Sequence, residues 1–173
     1  MTTAIMFYHG TKSVNSDAKL FDRLICWWTK SPYSHTESVV GYSDYSDIER
    51  IHLAGGSLYC WSASLNEGKV RPTLIYPTKE KWTCVVLEGY DKASIRTYWE
   101  SVKGSRYDYP GVLGFVFKFI KQVTKWIYCS EGVAAALIRS ALPGVAVPPE
   151  QLTPGELFEW AILQPNARVI TFY

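Results

Sequence analysis

The sequence predicts an α+β fold, and three observations carry that prediction. Apolar residues recur at helical spacing between positions 17 and 28, short apolar segments separated by turn residues fill the stretch from 35 to 87, and helical patterns dominate after position 90. Strands that are grouped together and followed by helices are typical of this class. A chain of 173 residues, 47% of them hydrophobic, is long enough to bury one core, so we expect a single domain over 1–173.

The N-terminal part of the chain predicts a strand and then a helix. Ala4 to His9 is apolar enough for a buried strand, and Asp17 to Trp28 has the pattern of an amphipathic helix. Asn15 or Ser16 is suited to cap the start of that helix. Its apolar residues share one helical face, which we expect to pack inward: Leu20, Phe21, Leu24, Ile25 and Trp28.

The middle of the chain predicts five further strands: His35 to Tyr42, Ile48 to Leu53, Leu58 to Ser64, Lys69 to Tyr76, and Trp82 to Leu87. The polar stretch Gly41 to Asp47 and the pair Gly55-Gly56 are predicted to form the hairpin connections between them. Pro72 cannot donate a backbone hydrogen bond, so its strand is expected at a sheet edge or a bulge.

The second half of the chain predicts four helices and a final strand. The helices are Lys92 to Lys103, Val112 to Val123, one that begins at Cys129 and runs to about Ser140, and Pro154 to Ile162; the strand is Arg168 to Phe172. Gly104 is suited to end the first of these helices. Thr153 and Glu156 flank Pro154 as a capping box for the last one.

Composition excludes several classes of function. A net charge of +2 with scattered Lys and Arg does not favour a nucleic-acid partner. The longest apolar run, Val112 to Ile120, is interrupted by Lys118 and is too short for a transmembrane segment. The N-terminus lacks the pattern of a signal peptide, so we expect synthesis in a cytoplasm and delivery by other means if the protein acts elsewhere. Phosphate-loop and serine-hydrolase motifs are also missing from the sequence, and we expect no cofactor.

Cys129 is the first candidate for chemistry. It falls at the start of a predicted helix, in the segment Trp126 to Leu137, where unpaired N–H groups and the helix dipole lower the pKa of a thiol and favour the nucleophilic thiolate. The alternative is a small buried cysteine, which is common at such positions. The other cysteines are Cys26, Cys60 and Cys84; the four include no C-x-x-C pair, and their spacing permits disulfides without requiring them.

His35 and Glu37 are the second candidate pair, because residues two apart on a strand project from the same face. A cysteine acyl-transfer site needs a thiolate, an imidazole base and a third group that orients the imidazole. Cys129 and His35 fit the first two roles. Glu37, His52 and Ser62 remain open for the third, with a solvated charge as the alternative for Glu37 and a buried structural histidine as the alternative for His52. His35 and Glu37 alone provide too few ligands for a metal site.

Four segments together resemble a known superfamily. They are Ser34 to Gly41, Cys60 to Ser64 with Gly68 to Arg71, Tyr107 to Gly111, and Tyr128 to Glu131. In this combination the chain resembles the circularly permuted branch of the NlpC-type, papain-like superfamily, and is most similar to YiiX-like amidases and to phage relatives of cell-wall-associated hydrolases. In that branch the histidine strand precedes the cysteine helix, which is the order found here.

The resemblance covers roughly residues 5–160 and implies roles for individual residues. Cys129 matches the nucleophile and His35 the base; Glu37 is the first choice for the third residue and His52 the second, with Ser62 also fitting the pattern. A backbone N–H of Cys129 or Ser130 would hold the oxyanion. The implied fold is an antiparallel sheet, or open barrel, packed against the helix that begins at the cysteine.

The resemblance also implies the substrate and the setting. It implies a cysteine peptidase or amidase that hydrolyses peptidoglycan peptides, of bacterial or phage origin, carried in a virion with other virion proteins and acting on the cell wall. Two alternatives stay open. One is an acyltransferase or lipid-amide hydrolase of the same superfamily, and the other is a non-catalytic structural or adaptor component of a phage virion.

Overall fold

A computed structural model describes residues 1–12, 18–41, 45–116, 127–149 and 151–172 of the chain. The strands are β1 (Thr2–His9), β2 (Tyr33–Val39), β3 (Leu58–Ser64), β4 (Lys69–Ile75), β5 (Trp82–Glu88) and β6 (Arg168–Thr171). The α-helices are α1 (Ala18–Thr29), α2 (Tyr45–Leu53), α3 (Lys92–Ser101), α4 (Tyr109–Val116), α5 (Cys129–Ser140) and α6 (Pro154–Ile162).

The six strands form one antiparallel sheet in the order β4-β3-β2-β1-β5-β6. The predicted α+β class is therefore confirmed. The edge position of β4 is confirmed by the strand order, and an edge strand tolerates Pro72, which has no backbone N–H to donate. None of the helices within the described ranges is long and apolar enough to cross a membrane.

Both faces of the sheet are covered. One face carries the larger hydrophobic cluster, to which α1, α3, α4, α5 and α6 contribute side chains, and the other carries a smaller cluster to which α2 contributes Ile48. In the register of β1 and β2, Met6 lies opposite Glu37 and Phe7 lies opposite Thr36. Directly opposed residues share a face, so Glu37 lies on the side of the smaller cluster and Thr36 on the side of the larger one.

Helix α5 begins at Cys129, as predicted, and packs on the larger cluster. Val133, Ala136 and Leu137 are all buried in that cluster, at helical spacing. Gly132 permits a close approach to α3, since a Cβ atom there would lie 2.7 Å from the Trp99 ring. The position of the cysteine is therefore fixed by the packing of the helix behind it.

The predicted strand Ile48 to Leu53 is wrong, because these residues belong to α2. Ile48 and Ile51 are three apart, which places both on one helical face against the smaller cluster. The glycine pair ends this helix instead of forming a hairpin: Gly55 has φ 65°, and the Gly56 N–H donates to the Ile51 carbonyl at 2.8 Å. The two glycines do form a turn, as predicted, but this turn ends a helix and does not connect two strands.

The apolar face predicted for the first helix is right only in part. Ile25 is buried and Phe21 packs against the larger cluster, but Leu20, Leu24 and Trp28 are exposed. Cys26, which was not part of the predicted face, is buried as well. The proposed caps at positions 15 and 16, and Asp17, lie outside the described residues.

The start of one further helix differs from the prediction. Helix α4 begins at Tyr109, earlier than expected, because Asp108 caps it: its Oδ1 accepts the Gly111 N–H at 2.9 Å. The remainder of the predicted helix, 117–123, lies outside the described residues, as do positions 42–44 of the predicted polar turn. Helix α6 and its capping box are confirmed, with the Thr153 N–H donating to Glu156 Oε2 at 2.8 Å.

Candidate active site

The centre of the site is a histidine–carboxylate pair on β2. His35 Nε2 lies 3.0 Å from Glu37 Oε1, and Glu37 is only 2% exposed. A carboxylate at this distance favours a proton on Nε2, which leaves Nδ1 as the ring nitrogen for a second partner. Two residues on one face of one strand therefore supply both the imidazole and the group that orients it.

The second partner of the His35 ring is Cys129. The Cys129 side chain forms a hydrogen bond with the ring, and the backbone N–H groups of Thr36 and Ser130 also donate to its sulfur. Thr36 is paired with Phe7 on the β1 side, but the registered pairs on the β3 side are Ser38–Trp61 and Val39–Cys60, so the β2–β3 ladder ends before Thr36. The Thr36 N–H is consequently available to the sulfur at the start of α5.

The charges of the pair stabilise each other. Burial by itself raises the pKa of the Cys129 thiol, but the His35 charge and hydrogen bond, with the two N–H donors, outweigh burial and lower it below its usual range. Burial lowers the pKa of His35, whereas the Cys129 thiolate and the Glu37 carboxylate raise it to about 10. The site therefore favours the thiolate of Cys129 and the imidazolium of His35 over their neutral forms, relative to an isolated thiol and imidazole.

The other three cysteines are also free thiols, but their pKa values are raised and not lowered. Burial raises the pKa of Cys84 to about 12, and burial together with the nearby Asp22 raises that of Cys26 to about 11. Burial, followed by the charge of Glu37, also raises the pKa of Cys60. All four cysteines are buried, and Cys129 differs from the other three in the direction of its pKa shift.

Arg71 on β4 completes the charged network, although its sequence context indicated no role for it beyond membership of a motif. Its Nη1 lies 3.1 Å from Glu37 Oε1, and its Nε donates to Glu67 Oε1 at 2.8 Å. Arg71 compensates the charge of the buried Glu37 carboxylate while that carboxylate contacts His35. A cation placed two strands away in the sheet is not visible from local spacing, which is why sequence reasoning missed this role.

Ser62 and His52 are the two alternatives to Glu37 for the group that orients the His35 ring. Ser62 donates through Oγ to the Thr36 carbonyl at 2.7 Å, so it supports the β2 backbone next to the site. His52 lies on α2 and not on a strand that follows the base, and its side chain is outside the described part of the structure. Of the three candidates for the third role, Glu37 is the one with a described contact to the His35 ring.

An open cleft of about 670 Å³ leads to this network. Among its lining residues are His35, Glu37, Arg71, Asp22 and Tyr107, whereas Cys129 does not line it and is 3% exposed. The imidazole is therefore the part of the pair that faces the cleft, and a substrate carbonyl must approach the sulfur past it.

Tyr107 adds a hydrogen-bond donor to this cleft. Burial, and next the charge of Cys129, raises the pKa of the Tyr107 phenol. Its hydroxyl therefore stays protonated at neutral pH close to the thiolate. The sequence placed Tyr107 in a turn motif without assigning it chemistry.

Comparisons of the chain with models of known protein families, with curated proteins and with solved structures found no match. The resemblance to the permuted papain-like superfamily therefore depends on the short motifs in the sequence. The geometry of Cys129, His35 and Glu37 is an independent observation.

Proposed function

We propose that this protein is a cysteine hydrolase that cleaves an amide bond, with Cys129 as nucleophile, His35 as base and Glu37 as the orienting residue. The single observation that carries the proposal is the hydrogen bond between Cys129 and a His35 ring whose Nε2 is held by Glu37 at 3.0 Å. Nucleophile, base and orienting group in that connectivity are what acyl transfer by a cysteine requires.

The mechanism follows from the protonation states. The Cys129 thiolate attacks the substrate carbonyl carbon, and the negative charge moves to the carbonyl oxygen. The Ser130 N–H, which donates to the sulfur before the attack, is our candidate to donate to that oxygen once the sulfur has lost its charge. The His35 imidazolium then protonates the leaving amine as the C–N bond breaks, which leaves a thioester. His35 next takes a proton from water and the hydroxide attacks the thioester. The C–S bond then breaks, which releases the carboxylic acid and restores the Cys129 thiolate and the His35 imidazolium.

The permuted papain-like fold is part of the proposal. It is supported by the order of the elements, with the histidine on the second strand of an antiparallel sheet and the cysteine at the start of a later helix. The hydrogen bond between His35 and Cys129, which joins the histidine strand to the start of the cysteine helix, supports the same proposal.

We propose the peptide part of peptidoglycan as the substrate, on the resemblance to cell-wall hydrolases. The cleft supports a polar peptide because it offers Arg71, Asp22 and the Tyr107 hydroxyl alongside His35. A bacterial or phage origin, and carriage in a virion to reach the cell wall, belong to the same proposal.

The test is mass spectrometry of purified peptidoglycan fragments after incubation with the wild-type protein, Cys129→Ser and His35→Asn. We expect new amine and carboxyl termini with the wild-type protein and none with either variant. Acyl-lipid substrates and an acyl acceptor are tested in parallel. Product from these substrates alone would favour the acyltransferase alternative over peptidoglycan hydrolysis. Turnover of neither class, together with no trapping of Cys129 by an acylating probe, would favour the structural-protein alternative.

A further inference from the structure

Helix α1 presents an apolar stripe to the outside of the molecule. The stripe consists of Leu20, Leu24, Trp27 and Trp28, all exposed, and Leu20 and Trp27 are 78% and 72% exposed. Positions 20, 24, 27 and 28 follow the i, i+4, i+7, i+8 pattern, so the four side chains lie on one side of the helix. Two tryptophans and two leucines exposed on one helix need more explanation than isolated surface apolar residues do.

Cations flank the stripe on one side. Arg23 lies on α1, and Lys30 follows the end of that helix at Thr29; both side chains are exposed. They also line a surface pocket of about 530 Å³ together with Trp27 and the hydroxyl residues Thr11 and Ser31. Among the described residues that line this pocket none is acidic. Two cations and two hydroxyls are suited to a phosphate group.

We propose that α1 docks on the surface of an anionic phospholipid bilayer. In this arrangement the Leu and Trp side chains of the stripe enter the boundary between headgroups and acyl chains, while Arg23 and Lys30 bind lipid phosphates. Exposed Trp beside Lys and Arg is the composition of helices that lie in such an interface. The proposal concerns attachment to a surface and does not depend on the hydrolase activity.

Charge complementarity favours a phospholipid surface over two other possible occupants of the stripe, a second copy of the chain and the segment 117–126. In a symmetric dimer the same patch meets itself, which would bring Arg23 and Lys30 close to their own copies. The segment 117–126, which lies outside the described residues, carries Lys118, Lys121 and Lys125 and no acidic residue. It therefore has the same sign of charge as the flank of the stripe, whereas a phospholipid surface has the opposite sign.

Docking through α1 has a consequence for the cleft. Asp22 and Ile25, on the inner side of the same helix, line the cleft that contains His35 and Glu37. The helix is thus one wall of the cleft and, on its other side, the proposed lipid-contacting surface. A bilayer bound to α1 would place the candidate active site within one helix diameter of the membrane, roughly 10 Å.

The experiment is co-sedimentation of the full chain with vesicles made of equal parts phosphatidylglycerol and phosphatidylcholine, compared with phosphatidylcholine alone. We expect binding to the anionic vesicles that weakens as salt is raised, and much weaker binding to the neutral ones. Arg23→Glu should weaken anionic binding roughly tenfold or more, because it removes one attraction and adds a repulsion. Trp27→Ser should weaken binding to the same vesicles through the loss of its buried ring.

Two exposed residues elsewhere provide matched controls. Leu163→Ser removes an exposed apolar side chain after α6, and Arg50→Glu reverses an exposed charge on α2. Both should bind anionic vesicles as the wild-type protein does. Equal losses in Trp27→Ser and Leu163→Ser, or in Arg23→Glu and Arg50→Glu, would overturn the proposal.

Three further results would also overturn it. The first is failure of the wild-type protein to bind anionic vesicles, including the case in which it binds inorganic phosphate at Arg23 and Lys30 but no vesicle. The second is a dimer in lipid-free light scattering that Trp27→Ser converts to a monomer, which would assign the stripe to a second copy of the chain. The third is a larger loss of Tm in Trp27→Ser than in Leu163→Ser without lipid, which would assign the stripe to another segment of this chain.

Discussion

Arg71 and Glu37 form an ion pair that crosses an intervening strand. Arg71 is on β4 and Glu37 is on β2, with β3 between them, yet Nη1 and Oε1 are 3.1 Å apart. Ser62 lies directly opposite Arg71 in the β3–β4 register, so a small side chain occupies the position over which the pair extends. Glu37 Oε1 also contacts His35, and one carboxylate oxygen therefore connects the arginine with the candidate base.

Cys129 should react with iodoacetamide before the other cysteines. Its pKa is lowered whereas those of Cys26, Cys60 and Cys84 are raised, so at any given pH it should have the largest thiolate fraction of the four. A lowered pKa means that reactivity persists below the usual thiol range and is lost only as pH falls through the lowered value. Peptide mapping after limited alkylation over a pH series checks this, with Cys129→Ser as the control. Alkylation of Cys26 at an equal rate would contradict it.

Replacing His35, the candidate base, should raise the pKa of Cys129. In His35→Asn the burial that raises the pKa of Cys129 remains, while the opposing imidazolium charge is lost. The pH at which alkylation is half-maximal should therefore move upward, and the rate at neutral pH should fall roughly tenfold or more. Rate measurements on the two proteins over the same pH range provide the comparison. An unchanged profile would mean that His35 does not control the thiol.

Glu37→Gln tests the third role. The carboxylate raises the pKa of His35 by hydrogen bond and by charge, and a neutral amide provides no such charge. The His35 pKa should fall, and NMR titration of the ring resonance measures that shift directly. Hydrolysis should decrease by at least about tenfold through loss of ring orientation. A variant with lower stability but an unshifted ring pKa would assign Glu37 a structural role only.

Arg71→Met should destabilise the fold. The substitution leaves the buried Glu37 carboxylate without its cation, a change that typically costs about 3 kcal/mol in free energy of unfolding. Urea unfolding measures the loss. Arg50→Met is the matched control, because the exposed Arg50–Asp47 pair, at 3.9 Å, contributes little. Similar losses in the two variants would show that the Arg71 pair is no stronger than a surface contact.

Ser62→Ala tests whether Ser62 only supports the β2 backbone or also acts on the His35–Cys129 pair. It removes the hydrogen bond to the Thr36 carbonyl, which should cost about 1 kcal/mol of stability. The alkylation rate of Cys129 and its pH dependence should remain close to those of the wild-type protein, because the described hydrogen bonds of Ser62 go to backbone carbonyls. A large change in the pH profile would instead return Ser62 to the list of third residues.

Local signals were sufficient for several elements. The start of α5 at Cys129, the capping box of α6 and the edge position of β4 were predicted correctly, because helix caps and proline act within a few residues of their own position. The same kind of reasoning failed for α2, where a short apolar segment is equally compatible with helix and strand. In the structure, Ile48 and Ile51 of this segment pack against the smaller hydrophobic cluster as one face of a helix.

By itself, the sequence determined the α+β class, the start of a helix at Cys129 and the shared face of His35 and Glu37, since periodicity and capping are local properties. The tertiary structure decided which candidate meets the His35 ring, that Arg71 pairs with Glu37 from two strands away, and which side of α1 is exposed. Those contacts depend on strand register and on the packing of helices against the sheet. Both are set by residues far apart in the chain, and no local pattern contains them.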